Sequence, residues 1–326
     1  MTDRIIVLGA GGFIGQRVVA ALQACGWARP VIATRRQISG GEGIEQLRVD
    51  ATDETALAGA LQNTTGVVNC VAGDATTILA NARALFSAAA RCASRPRVVY
   101  LSSMAVYGST VGTVDESAPL LGDSGAYGTA KIAAEKLAGA YSKAVVLRPG
   151  IVYGPYSNWW SVQIARLLCQ RRLGDLGPRG QGICNLLYVE DLAAAALQAL
   201  RRPGIEGRRF NLAMSNAPTW NEYFALYAYA LGMASVTRIS PARLAVELHA
   251  LGPALRALEI ATRATGRSFQ PPAPIRPWLV RLARHGIRLD VSAAEQTLGM
   301  AWTPTARALE TTAAWFVRLT PKGGRV

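Results

Sequence analysis

Lysine is almost missing from this chain: of its 35 basic residues only four are Lys, and arginine supplies the rest. Histidine is scarcer still, with His249 and His285 alone, so no metal cluster suggests itself. Five cysteines (Cys25, Cys70, Cys92, Cys169, Cys184) show no paired spacing, which argues against a disulfide framework and for reduced thiols in a cytoplasmic protein. No apolar run approaches the length of a membrane span, and no cleavable leader separates Met1 from the strand-like Ile5–Leu8. Charge is sparse at 17% against 50% hydrophobic residues, a globular composition without long disorder. Acidic residues are the minority, leaving a net charge of +14. The excess is concentrated late: residues 201–326 hold 17 basic and 7 acidic side chains. Such a field favours an anionic partner, whether phosphorylated cofactor, acidic substrate, membrane surface or nucleic acid. At 326 residues one large domain and a smaller one are expected.

The first part alternates β-branched runs with Ala/Leu-rich periodic segments. Arg4–Leu8, Val31–Thr34, Gln46–Val49, Val67–Val71 and Val98–Ser102 read as strands, and segments near 15–25, 54–62, 76–93 and 126–142 as helices. That alternation predicts an α/β fold with a parallel, doubly wound sheet. A further strand, Ala144–Leu147, ends at Arg148-Pro149-Gly150, and Leu186–Val189 feeds a helix that Asp191 could cap. The expected division is a dinucleotide-binding domain over 1–155 with a returning segment near 183–212. A discontinuous, mostly helical lobe over 156–326 is interrupted by Gly266 and the stretch Pro271–Pro277.

Gly9-Ala10-Gly11-Gly12-Phe13-Ile14-Gly15 lies between the first strand and the first helix. Glycines at every third position let the backbone turn tightly and approach a pyrophosphate, which the helix N-terminus stabilises. Beyond the third strand, Asp50 and Ala51 could meet the adenine end of a dinucleotide. The end of the second strand selects the cofactor, since an acid there holds the ribose 2′-hydroxyl and cations hold a 2′-phosphate. Here Thr34 is followed by Arg35 and Arg36, with no acid before Glu42, so NADP(H) is expected over NAD(H). Tyr127 and Lys131 are four apart on one helical face, and Ser103 follows the strand Val98–Ser102. A phenol with a pKa near about 10 is a poor base at neutral pH until an ammonium stabilises its phenolate. Lys131 can do that and also hold the nicotinamide ribose, with Pro149, Gly150 and Ile151 flanking the cofactor.

Taken together the chain resembles an extended short-chain dehydrogenase/reductase, the superfamily of NAD(P)-dependent epimerases, dehydratases and ketone reductases. The resemblance rests on Gly9–Gly15, Ser102–Gly108, Tyr127–Lys131, Arg148–Pro155 and Leu187–Leu192, over roughly the first 200 residues. The late Leu298–Pro304 also resembles that family's Leu-Gly-Trp-x-Pro turn. The resemblance implies a Rossmann domain, catalytic Ser103, Tyr127 and Lys131, a C-terminal substrate lobe and a homodimer. It also matches Asn81 to a structural Asn.

Two departures bear on the substrate. Ile151 stands where nucleotide-sugar members of that family place an Asn, and Cys184 where they place an Arg, both meeting the diphosphate. Losing them favours a smaller or more apolar substrate, for which Trp159, Trp160, Phe210, Trp220 and Tyr223 could line a pocket, although such aromatics are more often core and Arg179 or an arginine of the C-terminal lobe could compensate. The expected activity is therefore NADPH-dependent reduction of a ketone, or oxidation of a secondary alcohol, on a non-nucleotide substrate. The alternative is a nucleotide-sugar epimerase, reductase or dehydratase. A non-catalytic RNA-binding or sensor relative is argued against by the Ser–Tyr–Lys set, so nucleic acid is not an expected partner. The Arg-rich stretch 241–288 reads as lobe helices, a lid, or a face that could rest on anionic lipid.

Overall fold

The computed structural model describes residues 2–36, 43–123, 125–264, 272 and 274–319. Glu42, Gly266 and Pro271, invoked above, lie outside the described residues. The chain runs β1 (Asp3–Leu8), α1 (Phe13–Ala24), β2 (Ala28–Thr34), β3 (Glu45–Arg48), α2 (Glu54–Ala60), β4 (Gly66–Asn69), α3 (Ala75–Arg91) and β5 (Arg97–Leu101). It continues through β6 (Gly112–Val114), α4 (Ala126–Gly139), β7 (Ala144–Pro149), β8 (Ile151–Tyr153), α5 (Ile164–Cys169), β9 (Leu186–Tyr188), α6 (Val189–Arg201) and β10 (Arg209–Leu212). The last elements are α7 (Trp220–Ala230), α8 (Pro241–Val246), α9 (Gly252–Ala264), α10 (Pro277–Leu282), β11 (Ile287–Leu289), α11 (Ser292–Leu298) and α12 (Thr305–Leu319). Two compact units divide them: one is Met1–Val152, Leu187–Ser215 and Leu289–Trp302, the other Tyr153–Leu186, Asn216–Arg288 and Thr303–Val326.

The first unit is built on a seven-stranded sheet in the order β10-β7-β5-β4-β1-β2-β3. Every pairing in it is parallel. Parallel strands covered on both faces need apolar side chains on both, and Ile5–Leu8 is accordingly 0–2% exposed throughout. Ile6 and Leu8 join Leu57 of α2, Leu85 of α3 and Ala134 of α4 in one cluster. The pair α1 and α6 pack together, joined by an Arg17–Glu190 ion pair. The order reverses at β1 and β4, which carry the loops that end in the crevice typical of doubly wound sheets. Asp191 does not cap α6. The helix starts two residues earlier, at Val189, and Asp191 is buried in its first turn, where a carboxylate still suits the helix dipole.

In the second unit, α7 is opened by a capping box in which Thr219 and Glu222 satisfy each other's backbone N–H groups. α12 packs on α7. A π-helical turn over Glu247–Leu251 joins α8 to α9, and buried Glu247 receives both nitrogens of the Arg172 fork at 2.5 and 2.9 Å. Val246 and Ile260 of this continuous helical run are exposed, while Leu244 and Leu255 are buried.

Candidate functional site

The loop after β1 is shaped by what cannot fit there. Gly9 has φ +73°, and a Cβ on it would lie 2.9 Å from the carbonyl of Cys70 in the loop after β4. A Cβ on Gly15, inside the first turn of α1, would be 2.3 Å from the Gly9 carbonyl oxygen and 2.7 Å from the Cα of Ala10. Gly12 is the N-cap of α1 and offers no side chain to it, so Phe13 and Ile14 begin a helix with an uncapped N-terminus. A close-approach loop delivering an uncapped helix end is a cradle for a pyrophosphate, so these residues fit a dinucleotide. Gly15→Ala should therefore raise the Kd for a nicotinamide dinucleotide at least about tenfold, the scale of overpacking against backbone. Fluorescence titration will measure it, and an unchanged Kd would remove the loop from the binding surface.

The residues expected at the adenine end lie beyond β2 and β3. Arg35 and Arg36 are exposed directly beyond β2, and the Arg36 carbonyl accepts from the Thr34 hydroxyl at 2.6 Å. One carboxylate oxygen of Asp50 accepts from both the backbone and the hydroxyl of Thr52. These bonds hold its carboxyl below the usual range, and the nearby Arg35 guanidinium adds to the effect. Ala51 offers its carbonyl to Asn81, which is buried and bridges to Asn69 at the end of β4 at 2.7 Å. At the other end, Pro149 closes β7, Gly150 donates to the Leu212 carbonyl at 2.9 Å, and buried Ile151 opens β8.

The structure brings Ser103, Tyr127 and Lys131 to one place on the first unit. Ser103 caps a short 3₁₀ turn beyond β5, its oxygen accepting from Ala105 N at 3.2 Å. Its hydroxyl also bonds to the Tyr127 phenol and draws that pKa down, but burial dominates and pushes it up. Tyr127 nevertheless leaves 44% of its surface exposed. Lys131 is 4% exposed and donates to the Leu101 carbonyl at 2.7 Å, with its ammonium 5.2 Å from the Tyr100 ring and 5.9 Å from the Tyr127 ring. Burial lowers its pKa to about 8, against the pull of Glu135. Burial thus raises the phenol and the Ser103 hydrogen bond opposes it, beside the ammonium expected to favour the phenolate.

Sequence reading missed Glu135 and Arg148, whose buried ion pair lies beside these groups at 2.7 Å. The available signal was Glu135 at four residues beyond Lys131, on the same helical face. Of the aromatic candidates, Phe210, Trp220 and Tyr223 are fully buried core residues rather than pocket lining, because rings of that size fill interiors. Trp159 remains 48% exposed, with Trp160 beside it; Trp278, 40% exposed, stands edge-on to both rings at 6.0 and 5.4 Å, and Arg276 lies over Trp159. Cys184 is fully buried and Arg179 sits in the 3₁₀ turn Gly177–Gly180.

A parallel sheet with a glycine cradle at its order reversal and a Ser–Tyr–Lys cluster beyond its strands defines a Rossmann-type nicotinamide-dependent enzyme class. The model of the NAD dependent epimerase/dehydratase family matches residues 5–213, and the chain belongs to that family. Solved structures with the same fold include a candidate epimerase from Burkholderia cenocepacia J2315, at TM-score 0.74 and 18% identity over 96% of this chain and 98% of that one. UDP-N-acetylglucosamine 4-epimerase from Bacillus cereus aligns at 0.70 and 20% identity, covering 97% and 99%. dTDP-glucose 4,6-dehydratase from Bacillus anthracis, in complex with NAD, aligns at 0.73 and 18% identity, covering 97% of each chain. No curated protein sequence matches the chain.

Proposed function

We propose that the protein is an NADPH-dependent ketone reductase, or secondary-alcohol dehydrogenase, acting on a non-nucleotide and partly apolar substrate. The carrying observation is the contact of Ser103 with Tyr127 beside the Lys131 ammonium. A bound nicotinamide supplies or accepts the hydride. In reduction Tyr127 gives its proton to the carbonyl-derived oxygen, and Ser103 donates a hydrogen bond to the same atom. Lys131, cationic at neutral pH, favours the phenolate left behind. Arg35 and Arg36 hold the 2′-phosphate, and Lys131 holds the nicotinamide ribose.

The substrate class is supported by Ile151 and Cys184. Ile151 is 6% exposed, and burial holds the Cys184 thiol neutral, so neither offers a diphosphate a charge or a strong donor. A diphosphate that surrenders water beside either residue regains no equivalent partner from it. The exposed rings of Trp159 and Trp278 in the second unit suit an apolar substrate portion. A nucleotide-sugar reading has its own support in neighbours that are a UDP-N-acetylglucosamine epimerase and a dTDP-glucose dehydratase, and in Arg179 as a re-sited cation. Calorimetry separates the two. UDP and dTDP are expected to bind no tighter than about millimolar, with no turnover of UDP-glucose or dTDP-glucose. Micromolar affinity for either nucleotide would promote the sugar reading.

A further inference from the structure

The second unit contains a helical run whose outside is apolar. α8, the π-helical turn Glu247–Leu251 and α9 follow one another without a break over residues 241–264. Leu244, Glu247, Gly252, Leu255 and Thr262 are its buried positions, a narrow stripe along one side. The start of the run is tied down there: Glu247 receives the Arg172 fork, and Arg243 donates to the Arg171 carbonyl at 2.6 Å. Fifteen described residues of the run are exposed, and only Arg243, His249 and Arg256 among them are polar. Val246 is 59% and Ile260 69% exposed. A helix on the surface of a globular unit normally turns its polar face outward, so this reversal marks a surface that is covered in use.

Charge indicates the partner. Residues 241–288 hold eight arginines and two glutamates, and one of the two, Glu247, is buried against Arg172. The chain then returns to the run: the Ile275 carbonyl is 3.7 Å from where a Cβ on Gly252 would sit, so Arg276 and α10 begin beside it. Trp278 and Arg281 are three apart on α10 and both exposed, and Arg284 is exposed just past its end. Trp159 stands 6.0 Å from Trp278, with Arg276 over its ring. Alkyl side chains bordered by arginines, with indole rings beside them, fit the boundary between the acyl chains and anionic headgroups of a bilayer. Nucleic acid fits less well, because contacts to phosphates would leave the alkyl side chains in water. A helix of this kind lies in the plane of the lipid surface. Among the described residues no helix is long and apolar enough to cross a membrane.

We infer that the exposed face of α8 and α9, with α10 beside it, docks the protein on an anionic phospholipid surface. Nothing in this inference depends on the reaction assigned to Tyr127 and Lys131. Flotation of the full chain tests it, with vesicles of phosphatidylcholine alone and of phosphatidylcholine mixed equally with phosphatidylglycerol. The protein should rise with the anionic vesicles and at least about tenfold less with the neutral ones, and added salt should weaken the capture. Val246→Glu/Ile260→Glu should lower partition onto anionic vesicles at least about tenfold, since it replaces buried alkyl groups with repelled charges. Arg256→Gln/Arg281→Gln should lower it about twenty-fivefold, roughly fivefold for each arginine. All four positions are exposed, so both variants should keep the thermal unfolding of the wild type, which circular dichroism will verify. No capture at low salt, equal capture by both kinds of vesicle, or capture unmoved by either double variant overturns the inference. So does light scattering that shows a dimer which Val246→Glu/Ile260→Glu dissociates, because a second copy of the chain would then cover the face.

Discussion

Replacing Tyr127 by Phe will leave NADPH affinity within about threefold of the wild type and lower ketone turnover at least about a hundredfold, the scale of lost general acid catalysis. The ring stays, so the packing of α4 is unchanged. What disappears is one oxygen, the group that bonds to Ser103 and, in the proposed reaction, gives the proton to the substrate. Ser103 cannot replace it, because an aliphatic hydroxyl keeps its proton at any working pH. The loss should fall on kcat with little change in KM, because the phenol acts only as charge develops on the substrate oxygen. Single-turnover kinetics on a substrate of the wild type is the measurement. Wild-type turnover by the Phe variant would show that the proton comes from elsewhere.

The double replacement Arg35→Ala/Arg36→Ala should cost NADP(H) affinity about a hundredfold while leaving NAD(H) affinity almost unaltered. Each guanidinium–phosphate contact is charge-assisted and worth about 1.5–3 kcal/mol when shielded from water, and solvent screening at exposed side chains brings the pair down to roughly that factor. Both arginines are exposed at the end of β2, so salt should screen the contact, and wild-type NADP(H) affinity should weaken between low and high ionic strength more than NAD(H) affinity does. Asp50, whose carboxyl the Thr52 hydrogen bonds and the nearby Arg35 hold below the usual range, would oppose any second anion that Arg35 does not neutralise. Titration of both proteins with both cofactors decides the matter, and tighter NAD(H) binding by the wild type would reverse the assignment.

The fold was readable where burial is two-sided. Strands such as Ile5–Leu8 and Val67–Asn69 appear in the sequence as apolar runs because helices cover both of their faces. Edges were less readable. β2 begins at Ala28 rather than Val31 because its first turns of ladder run through Arg29 and Pro30, residues that interrupt an apolar pattern but still pair with Arg4 and Ile5. In the site, Ser103, Tyr127 and Lys131 could be picked out because a helix spacing and a strand end are local features. Glu135 and Arg148 could not be joined in the same way: they lie on different elements, and only the packing of α4 against β7 makes them partners. The aromatic residues were legible only as alternatives, core or pocket wall. Phe210 and Trp220 have no periodicity that distinguishes a wall of a pocket from the filling of a core, and burial alone separated them from Trp159.

The three-segment make-up of the first unit sets the order in which it can be completed as it leaves the ribosome. β7 is buried at every residue from Ala144 to Pro149, and its outer neighbour in the sheet is β10, which is translated only after the first stretch of the second unit has emerged. Until Arg209–Leu212 arrives, the nascent sheet ends in a long apolar edge with unpaired N–H and C=O groups, a template for pairing with another chain. α11, which packs on α6 and β10, is made later still. Truncation after Gly150 would therefore yield an aggregating fragment with its edge exposed rather than a free-standing nucleotide-binding domain.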